Sequence, residues 1–328
     1  DTGTTYADLV TDLDRYPAWS PDGSQIAWFT DRNGEYALRI TNQQGGEARS
    51  IPLPNDVFYY HPKWSPNGER ILFTDTDRNL WVLDVEREET TRIDQDLYTP
   101  PGRTLNPQWS PDGAWIAYAK RLDSQFRTVY AYSLEDEERV AISDGMADAV
   151  NPVWDASGDY LYFMASTDYG LNTGWLDMSS YERPVERSVY LTVLDGDTPS
   201  PLLPQSDEEA TGSSEENGSA ENGGTENGSD DEVEVRIDPE GLAQRTLALD
   251  LPARMYMSLD AGPAGTVFVG ESVPNAPGLR IHQYQLDTRE AQPFLEGVTQ
   301  FEVEHSGEQV LYQAMGKWGI VPTAQPPS

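Results

Sequence analysis

The chain has 328 residues, with 56 acidic and 22 basic side chains, no cysteine and a formal net charge of −34. The absence of cysteine excludes disulfides and any site that needs a thiolate. The negative charge disfavours nucleic acid and anionic membranes as partners, because both are bound through Lys and Arg. No run of about 18 apolar residues predicts a membrane-spanning helix, and no signal peptide is recognisable.

The acidic residues are concentrated in one tract, although the rest of the chain is acidic as well. Residues 207–234 contain eleven Asp or Glu and neither Lys nor Arg. Two explanations of the acidic surface stay open: adaptation to high salt, or an ordinary acidic surface. The chain begins with Asp1 rather than Met, as expected of a piece excised from a longer protein.

A seven-residue motif recurs four times along the first half of the chain. Its first copy is PAWSPDG at residues 17–23, and its tryptophan returns every 45 residues. In each copy a short strand precedes a tight Ser-Pro-Asp-Gly turn, in which Pro fixes φ and Gly accepts a left-handed conformation. A period of about 40–45 residues with several short strands is typical of a β-propeller. The tryptophans are Trp19, Trp64, Trp109 and Trp154.

Each motif is followed by two predicted strands and a polar turn that leads to a short outer strand. No sustained 3.6-residue period is present, so almost no helix is expected. A four-stranded blade that is apolar on both faces must pack between neighbours, which places the repeated tryptophans in the seams between blades. The predicted second strands are residues 25–29, 70–74, 115–118 and 160–163, and the third strands are 37–40, 79–83, 128–132 and 188–194.

After Trp154 the repeat becomes degenerate. Two further copies are recognised by the turn glycines Gly265 and Gly307 and by the strands that follow them. The sequence therefore predicts one all-β domain over residues 1–328, a propeller with six readable four-stranded blades. Residues 1–14 are interpreted as the remnant of a seventh. The acidic insertion at 204–234 has too little apolar surface to offset its ordering entropy and is predicted to be disordered.

No catalytic, metal or cofactor site is predicted. His61, His282 and His305 lack metal-ligand spacing and are interpreted as solvated or hydrogen-bonded turn histidines. No G-x-S-x-G nucleophile motif and no EF-hand loop are present.

One stretch, residues 165–185, does not repeat. It is a long excursion between two strands of the fourth blade, rich in Gly and aromatic residues, and such loops on rigid scaffolds carry function. We interpret it as a gating or docking loop; a plug or an interdomain contact is an equal alternative. Its candidate residues are Asp168, Tyr169, Asn172, Trp175, Asp177, Tyr181 and Arg183.

The combination of motifs resembles the tricorn protease family, in particular its second propeller. The matching segments are YHPKWSP at 60–66, NLWVLD at 79–84, the block 166–193, RIDPEGL at 236–242 and the tail 312–322. The W-S-P-D-G repeats alone also resemble TolB-like and prolyl-oligopeptidase-like propellers. The resemblance implies seven blades and a parent serine peptidase, in which the propeller filters and channels oligopeptides and the catalytic residues lie in later domains.

Three functions follow as hypotheses. The first is a non-catalytic propeller of a tricorn-like peptidase, with oligopeptides and the PDZ and peptidase domains of the same chain as partners, possible homo-oligomerisation, and a cytoplasmic rather than periplasmic location. The second is a free-standing TolB-like module that binds a protein. The third is a propeller enzyme, which would need a cluster of carboxylates or histidines at its pore.

Overall fold

The computed structural model describes residues 14–169 except 33, 47, 99 and 101–104, residues 184–203, and residues 233–326 except 305 and 325. This part of the chain is all-β, as expected, and its one helix is a four-residue 3-10 turn at Leu242–Arg245. No helix within it has the length and apolarity that a membrane crossing requires. The strands are β1 Asp14–Trp19, β2 Gln25–Thr30, β3 Ala37–Asn42, β4 Arg49–Pro52, β5 Tyr59–Trp64, β6 Arg70–Asp75, β7 Asn79–Asp84, β8 Glu89–Gln95, β9 Leu105–Trp109, β10 Trp115–Arg121, β11 Arg127–Ser133, β12 Arg139–Ala141, β13 Asp148–Trp154, β14 Tyr160–Ser166, β15 Ser188–Val193, β16 Thr246–Ala248, β17 Tyr256–Ala261, β18 Thr266–Ser272, β19 Leu279–Gln285, β20 Glu290–Val303, β21 Gln309–Ala314 and β22 Lys317–Pro322.

The strands form antiparallel sheets that follow chain order, as in propeller blades. Blade one is β1 to β4, blade two β5 to β8, blade three β9 to β12 and blade four β13 to β16. A fifth sheet joins β17 to β22 in order. The second and third strands predicted for the first four repeats coincide with observed strands, which differ from them by a few residues at the ends.

The fifth and sixth repeats share strand β20. The part of β20 before Val298 pairs with β19, and the part after it pairs with β21. The strand passes between the repeats beside Gly278, where a Cβ atom would lie 2.7 Å from backbone atoms of Gly297 and Val298. The described residues therefore form five sheets instead of six or seven separate four-stranded blades, because no turn interrupts β20 between its two partners.

The Ser-Pro-Asp-Gly turns are held by their own side chains. Ser20 Oγ donates to Asp22 Oδ1 over 2.6 Å and accepts from the amide of Gln25 over 2.9 Å. Gly23 has a φ of 68°, the left-handed conformation that the motif predicts. The same three-part pattern recurs in the turns that begin at Ser65 and Ser110.

The repeated tryptophans lie at the seams between blades and hydrogen-bond across them. In the second, third and fourth blades the indole donates to the carbonyl of the residue that precedes the tryptophan of the previous blade. Trp19, which begins the described series, is 47% exposed, whereas Trp154 is 5% exposed. The three bonds are Trp64 to Ala18 at 3.1 Å, Trp109 to Lys63 at 3.0 Å and Trp154 to Gln108 at 3.3 Å.

A bulge interrupts the inner strand of each of the first four blades, three residues before the tryptophan. The residue at that position has a positive φ of 41–55°, and the pairing register shifts around it. A non-glycine residue rarely adopts this conformation, and Asn tolerates it best. The motif does not predict the bulge. Its residues are Tyr16, His61, Asn106 and Asn151.

The hydrophobic core is divided among these seams. One cluster packs blade one on blade two around Phe29 and Phe73, and another packs blade four on blade five around Tyr162 and Tyr284. Similar clusters fill the seams between blades two and three and between blades three and four. Stacked blades thus bury both faces of the second, third and fourth sheets, as the repeat predicts.

Candidate functional site

Equivalent positions of five repeats converge on the propeller axis. In each of these five repeats the residue five places before the turn glycine is the penultimate residue of its strand and lines one central cavity. The side chains differ in every blade, so these positions form a ring of varied chemistry. We call this set the axial ring: Lys63, Gln108, Val153, Asp260 and Glu302.

The cavity has a volume of about 650 Å³, within the range of sites that hold small organic ligands. Its walls combine the charged ring residues with indole rings and with the proline and glycine residues of the adjacent turns. The cavity is therefore both polar and aromatic. The tryptophans in its wall are Trp64, Trp109 and Trp154.

Lys63 contributes the cation of the axial ring. Its Nζ donates to the carbonyl of Pro107 over 2.9 Å and to Oε1 of Gln108 over 3.1 Å. Burial lowers the pKa of Lys63 to about 8, and the carboxylates of Asp260 and Glu302 only partly oppose that shift. The ammonium group is thus held against blade three.

Asp260 and Glu302 lie on the other side of the ring. Burial raises the pKa of Asp260 to about 7; Lys63 lowers it, and Glu302 raises it further. Neither carboxylate accepts a hydrogen bond from the residues that the structure describes. Ionised Asp260 is therefore poorly compensated at neutral pH.

We expect Asp260→Asn to stabilise the protein above pH 7 and to leave it unchanged near pH 4. The folded chain binds the Asp260 proton more tightly than the unfolded chain, so wild-type stability falls as pH rises from about 4 to 7. Removing the charge should raise the free energy of unfolding at pH 8 by on the order of 1–2 kcal/mol. Urea denaturation at both pH values measures this, and equal midpoints at pH 8 would contradict the assignment.

Three carboxylates line the cavity, those of Asp260, Glu302 and Glu304, and the pore-enzyme hypothesis required a cluster of carboxylates or histidines there. No histidine is among the described residues that line it. Within the same residues, no group of three or more His, Asp or Glu could hold a metal ion. The lining is suited to binding a charged ligand.

The start of the predicted gating loop lies against a cluster of arginines. The ring of Tyr169 lies 5.7 Å from the guanidinium carbon of Arg121 and 5.4 Å from that of Arg127, within cation–π range. The amide of Asp168 is bonded to Ser166 Oγ at 3.1 Å. The remaining loop candidates, Asn172, Trp175, Asp177, Tyr181 and Arg183, lie outside the described residues.

Asp148 holds this arginine cluster together. Its carboxylate is fully buried and accepts hydrogen bonds from the backbone amide, Nε and Nη2 of Arg127, at 3.0, 2.9 and 2.5 Å. Burial and the nearby Arg127 lower the pKa of Arg187, and Asp148 opposes them. Asp148 and the ring residue Val153 are five residues apart on β13, so the loop base and the axial ring are separated by roughly 16 Å.

The residue that directly follows the predicted acidic insertion is fixed to blade three. The amide of Val235 donates to Asp112 Oδ2 over 2.8 Å, and the indole of Trp115 donates to the carbonyl of Val235 over 3.2 Å. Asp112 belongs to a Ser-Pro-Asp-Gly turn, so the insertion rejoins the propeller on the face where those turns border the cavity. Residues 204–232 lie outside the described part of the chain, and their disorder stays a prediction.

Two of the three histidines are described. His61 occupies the bulge of blade two, with its ring 4.7 Å from that of Tyr16. His282 lies in strand β19 rather than in a turn, and its Nε2 is 2.7 Å from Glu271 Oε2, a carboxylate that also contacts Arg254. His305 lies outside the described residues. These contacts serve the packing of the blades.

Comparison with known proteins gives one family. Residues 12–323 match the tricorn protease second beta propeller domain. The chain is 23% identical over 325 residues to tricorn protease homolog 1 of Streptomyces coelicolor, and the match covers 92% of this chain and 29% of that protein. The chain thus spans less than a third of the length of this relative.

Solved structures agree on the fold. A crystal structure of the tricorn protease superposes with a TM-score of 0.71 at 16% identity, covering 95% of this chain and 30% of that one. TolB from Acinetobacter baumannii has a TM-score of 0.50 at 12% identity, covering 96% and 63%. A prolyl endopeptidase has a TM-score of 0.53 at 12% identity, covering 98% and 43%.

Proposed function

Because the chain belongs to the family of tricorn protease second β-propeller domains, we propose that it is a non-catalytic propeller that filters oligopeptides and channels them to a peptidase domain. The observation that carries this proposal is the axial cavity, where five repeats place polar and aromatic side chains around about 650 Å³ of space. An extended peptide has backbone amides and carbonyls that such a mixed lining can bind.

The proposal also states that this chain is one part of a longer protein. The matched relative is more than three times as long, which leaves room for the PDZ and serine peptidase domains expected as partners. It also includes a sixth blade that shares β20 and a seventh beside the first. Trp19 and Trp318 are 47% and 56% exposed in the first and last repeats, where a further blade would cover aromatic surface. A cytoplasmic location remains part of the proposal.

The TolB-like alternative is not favoured. The match to the tricorn family runs from residue 12 to residue 323, and the tricorn protease superposes better than TolB does.

Narrowing the channel should slow the turnover of long peptides in the complete peptidase. Gln108→Trp places an indole in the cavity, so we expect kcat/KM for long oligopeptides to fall about tenfold while that for a dipeptide substrate changes little. Steady-state hydrolysis of a length series measures the effect.

Glu89→Trp, on the exposed start of outer strand β8, is the matched control and should behave as wild type. The 328-residue chain alone should hydrolyse no peptide. An unchanged length profile for Gln108→Trp, or hydrolysis by a clean preparation of the isolated chain, would contradict the proposal.

A further inference from the structure

The positive and negative charges of the axial ring come from different sides of the cavity. Lys63 donates hydrogen bonds to Pro107 and Gln108 of blade three. Asp260 and Glu302, from the fifth and sixth repeats, accept no hydrogen bond from a described residue and form no direct ion pair with Lys63. The axial ring thus holds one compensated cation and two carboxylates that lack a close donor, and the carboxylate of Glu304 also lines the cavity.

Such an arrangement has an unmet requirement for positive charge. The half-buried carboxylate of Asp260 is costly to ionise unless a cation or hydrogen-bond donors reach it, and Glu302, which lines the same cavity, is exposed to solvent. The pKa of Lys63 is lowered and that of Asp260 is raised. Both shifts favour the neutral form, because burial outweighs the attraction between the two charges. A ligand with an ammonium group would supply the positive charge beside Asp260 and Glu302 that Lys63 does not.

We propose that the axial ring selects oligopeptides by a free ammonium group, which Asp260 and Glu302 bind together, while Lys63 and Gln108 face the peptide carbonyls. This inference rests on the proposed peptide channel and names the ligand class that the channel accepts. The ammonium can come from the amino terminus of the peptide or from a lysine side chain.

Peptide binding can be measured by the change in fluorescence of the three tryptophans in the cavity wall. Four peptides of one length are titrated into the 328-residue chain: with a free or an acetylated amino terminus, each with or without one lysine. We expect the acetylated, lysine-free peptide to bind at least about tenfold more weakly than the others, the equivalent of one lost ion pair. Weak binding of the acetylated lysine peptide would identify the amino terminus as the group bound.

Variants test the assigned residues. Asp260→Asn and Glu302→Gln should each weaken the binding of peptides that carry a free ammonium group several-fold. The binding of the acetylated, lysine-free peptide should not change. Glu89→Gln, an equal charge change on the exposed start of β8, is the matched control and should have no effect. Melting temperatures verify that each variant is folded.

The two proposals can fail separately. If all four peptides bind wild type equally well, the ammonium inference is wrong and the peptide channel stands. If the free-amine preference persists in both variants, the ammonium is bound elsewhere and the assignment to the ring is wrong. If none of the peptides binds the folded chain, the channel proposal fails with it.

Discussion

Replacement of Trp154 by alanine is expected to lower the free energy of unfolding by about 3–5 kcal/mol. The side chain is 5% exposed in the seam between blades three and four, and its indole donates to the carbonyl of Gln108. The truncation opens a cavity and leaves the partly buried carbonyl of Gln108 without the indole donor, and each of these effects is destabilising. Urea denaturation measures the change.

Trp19→Ala is the matched control, because Trp19 occupies the same place in blade one but is 47% exposed. We expect it to cost less than about 1 kcal/mol, as surface substitutions do. The corresponding change at Trp109, a partly exposed residue in the cavity wall, should fall between the two. Equal effects at Trp19 and Trp154 would show that the seam does not carry the stability assigned to it.

Asp148→Asn is expected to destabilise the protein by on the order of 3 kcal/mol, since it removes one partner of a buried ion pair. The carboxylate is fully buried and is the acceptor that holds Arg127 near Arg187. Without it, guanidinium groups that share one site repel each other. Thermal and urea unfolding, compared at low and high salt, measure the loss.

Glu234→Gln removes a carboxylate from an exposed ion pair with Arg236 and should change stability by less than about 0.5 kcal/mol. If Asp148→Asn costs as little as this control, Asp148 is not required to hold the arginine cluster. High salt should recover part of the loss at Asp148, because salt screens the remaining repulsion.

The sequence predicts the blades because the local chemistry of the repeat is explicit. Ser20, Asp22 and Gly23 specify the turn on their own, and Trp64 specifies a seam because an indole of that size must be covered. The bulges are less visible: Asn106 and Asn151 are compatible with a positive φ, but Tyr16 and His61 give no such signal.

The axial ring could not be read from any motif, because its members share a position and no residue type. Only the alignment of repeats on the turn glycines Gly265 and Gly307 places Asp260 and Glu302 beside Lys63. The arginine cluster was missed for a related reason: Arg127, Asp148 and Arg187 are far apart in sequence and meet only when blades three and four pack together.

Strand β20 has a mechanical consequence. The first four blades are joined to their neighbours by loops, so the seam between two of them can open without breaking a hydrogen-bonded strand. The fifth and sixth repeats have no such joint, because the pairing with β21 begins at Val298, where the pairing with β19 ends. We therefore expect this end of the propeller to open as a single cooperative unit, and any widening of the axial cavity to be confined to the seams that loops connect.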